Sequence, residues 1–314
     1  MRELHSQLKF AYSRPGFLTF KSEKEIPPDF ELNSIFAHSY GITLFKFKWT
    51  EWDQIHEKIM DSNVHVIERE QFAPDEFPKE FEYGKLKEKF LLQNKNFIEK
   101  IKLDQAPTSG ALIYDLIIVD ENEIWLGAHI HSDFHRPFVG GRPNIALPAE
   151  APSRAYLKLE EVVQLYSIKL SSNDTAIEIG SAPGGASFAL LQRGLKVVGV
   201  DAAKMDPVVM KNQNFFHIQK AMADVKSSEL PRQVQWILID INQKPEIAIQ
   251  SLQSLIQKYE NSLKGIFLTL KLNDWKNMLE IKKIQNKLFK FGFEQVCVAH
   301  LISNKKEVSL CALK

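Results

Sequence analysis

The stretch Gly180-Ser181-Ala182-Pro183-Gly184-Gly185 stands between the apolar run AIEI and a helix-compatible segment, which is followed by LKVVGVD ending in Asp201. A strand, a glycine turn, a helix and a second strand form the unit from which nucleotide-type ligand sites are built. Glycine serves such a turn because the backbone must reach the ligand with no Cβ between them. Pro183, with its φ fixed and no N–H, suits a helix entry whose first donors are free to meet an anionic group. A carboxylate at Asp201 can accept both hydroxyls of a ribose, which points to an adenosine-bearing cofactor. The pattern alone fits a nicotinamide dinucleotide as well as S-adenosylmethionine (AdoMet), and a glycine turn with no cofactor also satisfies it.

The elements around this turn alternate. A helix is expected over 155–168, strands over 214–218, 235–240 and 265–270, and helices over 245–259 and 275–291. Two adjacent strand runs, EQVCVAHLI and EVSLCALK, close the chain across Ser303-Asn304-Lys305-Lys306. The alternation predicts an α/β fold of the doubly wound type, and the closing hairpin predicts one antiparallel strand at the end of its sheet. Wholly parallel sheets are usual for nicotinamide-binding domains; a terminal hairpin of this kind characterises methyltransferases. Four polar residues fall where the element ends converge: Lys158 in SRAYLKLEE, Asp240 in WILIDIN, Lys271 in FLTLKLND and Glu307 in NKKEVSL. An acid ending an apolar strand at the ligand-facing edge is more often functional than not. A lysine following FLTL is costly to bury unless it is paired or does chemistry. Taken singly, Lys158 reads as a surface residue of an amphipathic helix and Glu307 as an edge-strand charge.

The first part reads as a small α+β domain over residues 1–140, followed by 141–314 as the second domain. Strands are expected at LKFAYS, FLTFKSE and ITLFKFKW, a helix over 51–60, a strand over 64–68, a loop over 71–79 and a charged helix over 80–100. A hairpin of 112–119 and 124–130 completes it. The segment from His131 to Ala151, rich in proline and glycine, is the connector; its Arg136 and Arg142 suit either RNA phosphates or a solvated linker.

With 314 residues and a net charge of +1, the chain can bury a full core and is not a globally basic nucleic-acid binder. The only cysteines, Cys297 and Cys311, lie in apolar strand-like runs, which favours buried thiols and a reducing, cytoplasmic compartment. No apolar run has the length of a signal core or a membrane span.

The run LPAEAPSRAYLKLEE, the EIGSAPGG turn, the DINQKP segment and the LTLKL strand together resemble the RlmM-type members of the FtsJ superfamily, Rossmann-like AdoMet-dependent ribose 2′-O-methyltransferases of large-subunit ribosomal RNA. The resemblance covers most of 146–314, and more weakly the first domain through AYSRPGF. It implies a ferredoxin-like and THUMP-type RNA-binding region ahead of the catalytic domain, and rRNA met before assembly as the partner. It also implies a catalytic tetrad of Lys158, Asp240, Lys271 and Glu307. Lys271 is then the base for the ribose hydroxyl, its pKa lowered by Lys158 and partly restored by the carboxylates; no metal is required. For the cofactor, the resemblance implies that Gly180, Ser181, Ala182, Pro183, Gly184 and Gly185 wrap the methionine end, with Asp240 at the same site. Asp224 in AMADV is then the partner of the adenine amino group. Glu178 stands where the family usually has Asp, Ala186 where an aromatic follows the glycines, and Ala155 where relatives place a small hydroxyl.

His129, His131, Asp133 and His135 form a rival constellation whose alternate spacing is compatible with a metal, although strand ends entering loops often carry solvated histidines. An NAD(P)-dependent oxidoreductase and a catalytically silent RNA-binding relative remain the alternative functions.

Overall fold

A computed structural model describes residues 7–69, 84–240, 245–272 and 277–314. The loop expected over 71–79, the residues 241–244 of the DINQKP run and the first two residues of the helix expected from 275 lie outside the described residues. The chain divides into two compact units, 1–143 and 144–314.

The first unit holds a hairpin of β1 (Leu8–Arg14) and β2 (Phe17–Ser22) and a five-stranded sheet. That sheet contains β3 (Ile42–Phe47), β4 (Asn63–Glu68), β5 (Lys102–Leu103), β6 (Leu112–Asp120) and β7 (Glu123–Ile130), in the order β3-β7-β6-β4-β5. Its core gathers Trp52, Phe47, Phe90, Phe97, Leu116 and Leu126. The helix expected over 51–60 is two 3-10 segments, Trp49–Gln54 and His56–Ile59. The Trp52 carbonyl accepts from the Ile55 N–H, three residues on, at 2.9 Å, and the His56 ring nitrogen lies 3.3 Å from the same oxygen. This tighter turn leaves the Trp52 ring edge-on against Phe90 and Phe97. The charged helix likewise divides, into α1 (Lys85–Gln93) and α2 (Lys95–Ile98). Asn94 breaks it by turning its amide onto the Phe90 carbonyl at 2.8 Å.

In the second unit, α3 (Ala155–Leu165) precedes β8 (Thr175–Ile179), α4 (Gly185–Gln192), β9 (Lys196–Val200), α5 (Pro207–Met210) and β10 (Phe215–Ile218). Then follow β11 (Trp236–Ile239), α6 (Pro245–Lys258), β12 (Gly265–Lys271), α7 (Asn277–Lys290), β13 (Gln295–Ala299) and β14 (Glu307–Leu313). The seven strands are ordered β10-β9-β8-β11-β12-β14-β13. This is the expected α/β sheet, parallel except for β14, which is antiparallel to both neighbours. One expectation needs correcting: the antiparallel strand is not at the end of the sheet but is inserted between β12 and β13. Val308, Leu310, Cys311 and Ala312 of β14 are buried, so this mostly apolar strand needs cover on both sides, and the more exposed β13 takes the edge. Cys297 and Cys311 are free thiols, and among the described residues no helix is long and apolar enough to cross a membrane.

Candidate active site

The chain leaves β8 toward β9 and β10 on one side and returns for β11 and β12 on the other, which puts a topological switch point between β8 and β11. In open α/β sheets, the crevice at the carboxyl ends of the strands beside this point is the ligand site. Gly180 follows β8, Asp201 follows β9, Asp240 follows β11 and Lys271 ends β12, so all four lie on that one edge. Glu307 reaches the same edge because β14 runs the other way: it is the register partner of Lys271. Glu307 is therefore on an interior strand and not on an edge.

These residues close a ring of alternating charge. Lys158 Nζ, from α3, lies 2.8 Å from Asp240 Oδ2 and 2.5 Å from Glu307 Oε1. Lys271 Nζ donates to Glu307 Oε2 and lies 3.4 Å from Asp240 Oδ1. The side chains of Lys158, Lys271 and Asp240 are 17, 21 and 23% exposed, partly reachable from solvent, while that of Glu307 is buried at 7%. Burial pulls the Lys271 pKa down, but the hydrogen bond to Glu307 and the Asp240 charge outweigh it, and the result is raised. This corrects the expectation of a lysine depressed by Lys158. Two carboxylates at contact distance from Lys271 dominate over the second cation, so the resting group is an ammonium.

The glycine turn sits against this ring. Gly180 and Gly184 have φ of 78° and 118°, accessible to glycine, and α4 begins at Gly185. Pro183 stands before the helix N-cap, not at the first helical position, and its bond to Ala182 is cis. The Asp201 carboxylate accepts from the backbone of Ala182 at 3.0 Å and of Ala203 at 2.8 Å, so it braces the turn while remaining partly exposed. Ser181 points its hydroxyl into the core, 3.4 Å from Met205 Sδ. Asp224 is exposed, on a 3-10 turn beyond β10. The Cβ-free sides of Gly184 and Gly185 face Val209 and Met205, and Ser153 and Tyr156, so these glycines serve close packing of the turn. An adenosine-bearing group fits the strand edge on which Asp240 Oδ1, 3.4 Å from Lys271 Nζ, is buried without a hydrogen-bond partner.

The FtsJ-like methyltransferase family matches residues 151–301. That stretch is an FtsJ-like methyltransferase domain. Over 148 residues the chain is 34% identical to the ribosomal RNA large subunit methyltransferase M of Marinobacter nauticus, covering 45% of this chain and 40% of that protein. The protein of the same name from Pectobacterium carotovorum is 30% identical over 57% of this chain and 51% of its own length. The chain spans about half or less of the length of these relatives. A Methanococcus jannaschii fibrillarin pre-rRNA processing protein aligns at a TM-score of 0.39 and 13% identity over 64% of this chain and 82% of that one, too distant to bear on function. FtsJ-like methyltransferases take AdoMet as their methyl donor.

The departures within the FtsJ-like domain are now physical. Glu178 is fully buried and accepts from the Ser187 hydroxyl. Burial pushes its pKa up to about 8, so it is a neutral acid at pH 7. Ala155 and Ala186 line a cavity of about 40 Å³ with Lys158, Glu178, Leu238 and Phe267, space that larger side chains at these positions would reduce. The sequence pattern did not single out Glu160, whose carboxylate pairs with Arg193 to tie α3 to the end of α4, nor Glu161 and Asn304, which hold the turn before β14. The signal for the two glutamates is the pair of acids in LEEVV, on a helix otherwise apolar there, which acquires meaning only once the packing is known.

His129, His131 and His135 are buried, not solvated. His129 Nδ1 lies 2.6 Å from Asp115 Oδ2, and its ring stacks on His135 at 4.5 Å, which in turn stacks on Tyr40 at 4.3 Å. His131 and His65 pack beside them, and Asp133 is exposed, outside the cluster. Among the described residues no group of three or more His, Cys, Asp or Glu has the arrangement to hold a metal. His135 is 8% exposed, and burial plus the rings of His129 and His131 push its pKa down to about 4. The unfolded chain therefore binds a proton below about pH 6.5 that the folded chain refuses until about pH 4. Stability is present above pH 6.5 and is lost as pH falls through that window, by up to about 3 kcal/mol. Urea titrations at pH 7 and 4.5 will show the acid loss in the full chain and a smaller one in His135→Phe; equal losses in both would exclude His135 as the cause.

Proposed function

We propose that this protein transfers a methyl group from AdoMet to a ribose 2′-hydroxyl of large-subunit ribosomal RNA. The observation carrying this reading is the ring of Lys158, Asp240, Lys271 and Glu307, set at the strand edge that also bears the glycine turn. Bound AdoMet supplies an activated methyl group on a sulfonium. The backbone of Gly180, Ser181, Ala182, Pro183, Gly184 and Gly185 would hold its methionine end, Asp201 its ribose hydroxyls and Asp224 its adenine amino group.

A ribose hydroxyl is a weak nucleophile and must lose its proton as the new C–O bond forms. Lys271 Nζ receives that proton. Because Glu307 and Asp240 hold Lys271 as an ammonium at rest, it first gives a proton to solvent, and the same carboxylates then stabilise the ammonium that re-forms. Lys158 keeps both carboxylates in place. Holding the oxygen in line with the methyl, away from water, supplies much of the remaining acceleration. The first unit acts as a THUMP-like RNA-binding domain that presents rRNA before assembly hides the target, in the cytoplasm.

The support for a methyltransferase over an NAD(P)-dependent oxidoreductase is the antiparallel β14 within the sheet and the FtsJ-like match. Calorimetry will show AdoMet binding and no NAD(P) binding; the opposite result would favour the oxidoreductase. Incubation of the protein with tritiated AdoMet and protein-free large-subunit rRNA will label the RNA. Binding of both without label transfer would identify a catalytically silent relative.

A further inference from the structure

Glu307, like Asp240, contacts both lysines through separate oxygens, and it makes the closer approach to each, so its rotamer and height decide whether the ring closes tightly. It sits at the first residue of β14, where a strand end would ordinarily fray. The connection before it is instead buried. Leu301, Ser303 and Asn304 are each less than a tenth exposed.

Two side chains account for that order. Glu161, 3% exposed on α3, accepts from the Ile302 N–H at 2.7 Å, the Ser303 N–H at 3.1 Å and the Ser303 hydroxyl at 2.9 Å. Asn304, 1% exposed, accepts from the Leu301 N–H at 2.8 Å, while its amide donates to Ser309 Oγ at 3.3 Å and reaches Glu307 Oε1 at 3.5 Å. Glu161 is one helical turn from Lys158 on the same helix, so the element that delivers one lysine also grips the loop that delivers Glu307. A buried acid is costly unless its partners repay desolvation, and three donors converge on this one.

We propose that Glu161 and Asn304 are positioning residues for the methyl-transfer reaction, fixing Glu307 between Lys158 and Lys271. This rests on the reading of the ring as the catalytic site. Neither residue touches the reacting atoms; Glu161 acts through the 301–304 turn, and Asn304 through that turn and its amide contact with Glu307.

The test measures rRNA methyl transfer, AdoMet affinity and melting temperature in wild type, Glu161→Gln, Asn304→Ala, Glu307→Gln and the double variant Glu161→Gln/Glu307→Gln. In Glu161→Gln one oxygen becomes an NH₂ that opposes the donors it faced. Its kcat is expected to fall about 10- to 100-fold with AdoMet affinity unchanged, because a small misplacement of a reacting group is felt mainly in the chemical step. The double variant is expected to be no slower than Glu307→Gln alone, since residues acting through one another are not additive. Loosening Glu307 also frees Lys271, so the pH–rate curve of Glu161→Gln shifts to lower pH, which a loss of folded protein alone would not produce. Should Glu161→Gln fail to fold, Asn304→Ala, which leaves the three donors of Glu161 in place, carries the same expectations. An active wild type with unchanged kcat and pH–rate curve in the folded variants, or full additivity in the double variant, would overturn this inference. An inactive wild type would instead overturn the reading of the site.

Discussion

Replacing Lys271 by alanine will reduce methyl transfer to rRNA by about 10²- to 10⁴-fold, the range supplied by a positioned acid or base, while AdoMet affinity changes little. The lysine contacts Glu307 and Asp240 of the ring, so its loss strikes the acceptor side. Wild-type activity carries a second signature. Burial alone would lower the Lys271 pKa, but Glu307 and Asp240 hold it above the ordinary lysine value, so only a small fraction is neutral at pH 7. Each pH step of one then raises the neutral fraction, and kcat, about tenfold until the group titrates. Single-turnover rates between pH 7 and 9 check both points. A flat wild-type profile, or an alanine variant within tenfold of wild type, would remove Lys271 from the role of base.

Gly185→Ala is expected to be nearly as damaging from a position that does no chemistry. A Cβ there would lie 2.3 Å from Ser153 Oγ, 2.7 Å from Ser153 O and 2.9 Å from Tyr156 N. The hydroxyl can rotate away; the two backbone atoms cannot. They belong to the entry and first turn of α3, so the helix must move outward, and Lys158 moves with it. Overpacking of this kind costs about 1–3 kcal/mol, and a displacement of about 1 Å at a reacting group costs about 10²-fold in rate. Gly184→Ala differs in kind: its φ of 118° strains any L side chain, but the nearest atoms are the ends of Val209 and Met205, which can yield. Melting curves and kcat on both variants separate the effects. Gly185→Ala with full activity would show that α3 does not need this close approach.

The glycine turn, Asp201, Asp240 and Lys271 were legible because apolar runs of strand length end at each of them, and strand ends in a parallel sheet share one edge. Glu307 was legible as a candidate but not as an interior residue: the insertion of β14 between β12 and β13 depends on burial of Val308 and Leu310 from both sides. The direction of the Lys271 shift was not legible at all. It turns on whether a cation or two carboxylates lie closer, and that is set by the Lys271–Glu307 register across strands 36 residues apart. Glu161 was invisible for a similar reason, since its donors come from the backbone of residues 302 and 303. In the first unit, the fate of residues 51–60 hinged on the packing of one ring, Trp52, which no local periodicity encodes. The histidines at 129, 131 and 135 follow a spacing that suits solvent or metal, yet a stack with Tyr40 and a carboxylate from β6 drew them inside.

The claim that the ring acts on a ribose hydroxyl is tested most directly by finding where the methyl group goes. Protein-free large-subunit rRNA, incubated with the full chain and isotope-labelled AdoMet, can be digested to nucleosides and read by mass spectrometry. The label is predicted on the ribose of a single nucleotide, as a 2′-O-methylated nucleoside, and absent when Lys271 is alanine. Label on a base, or equal ribose labelling by Lys271→Ala, would contradict it.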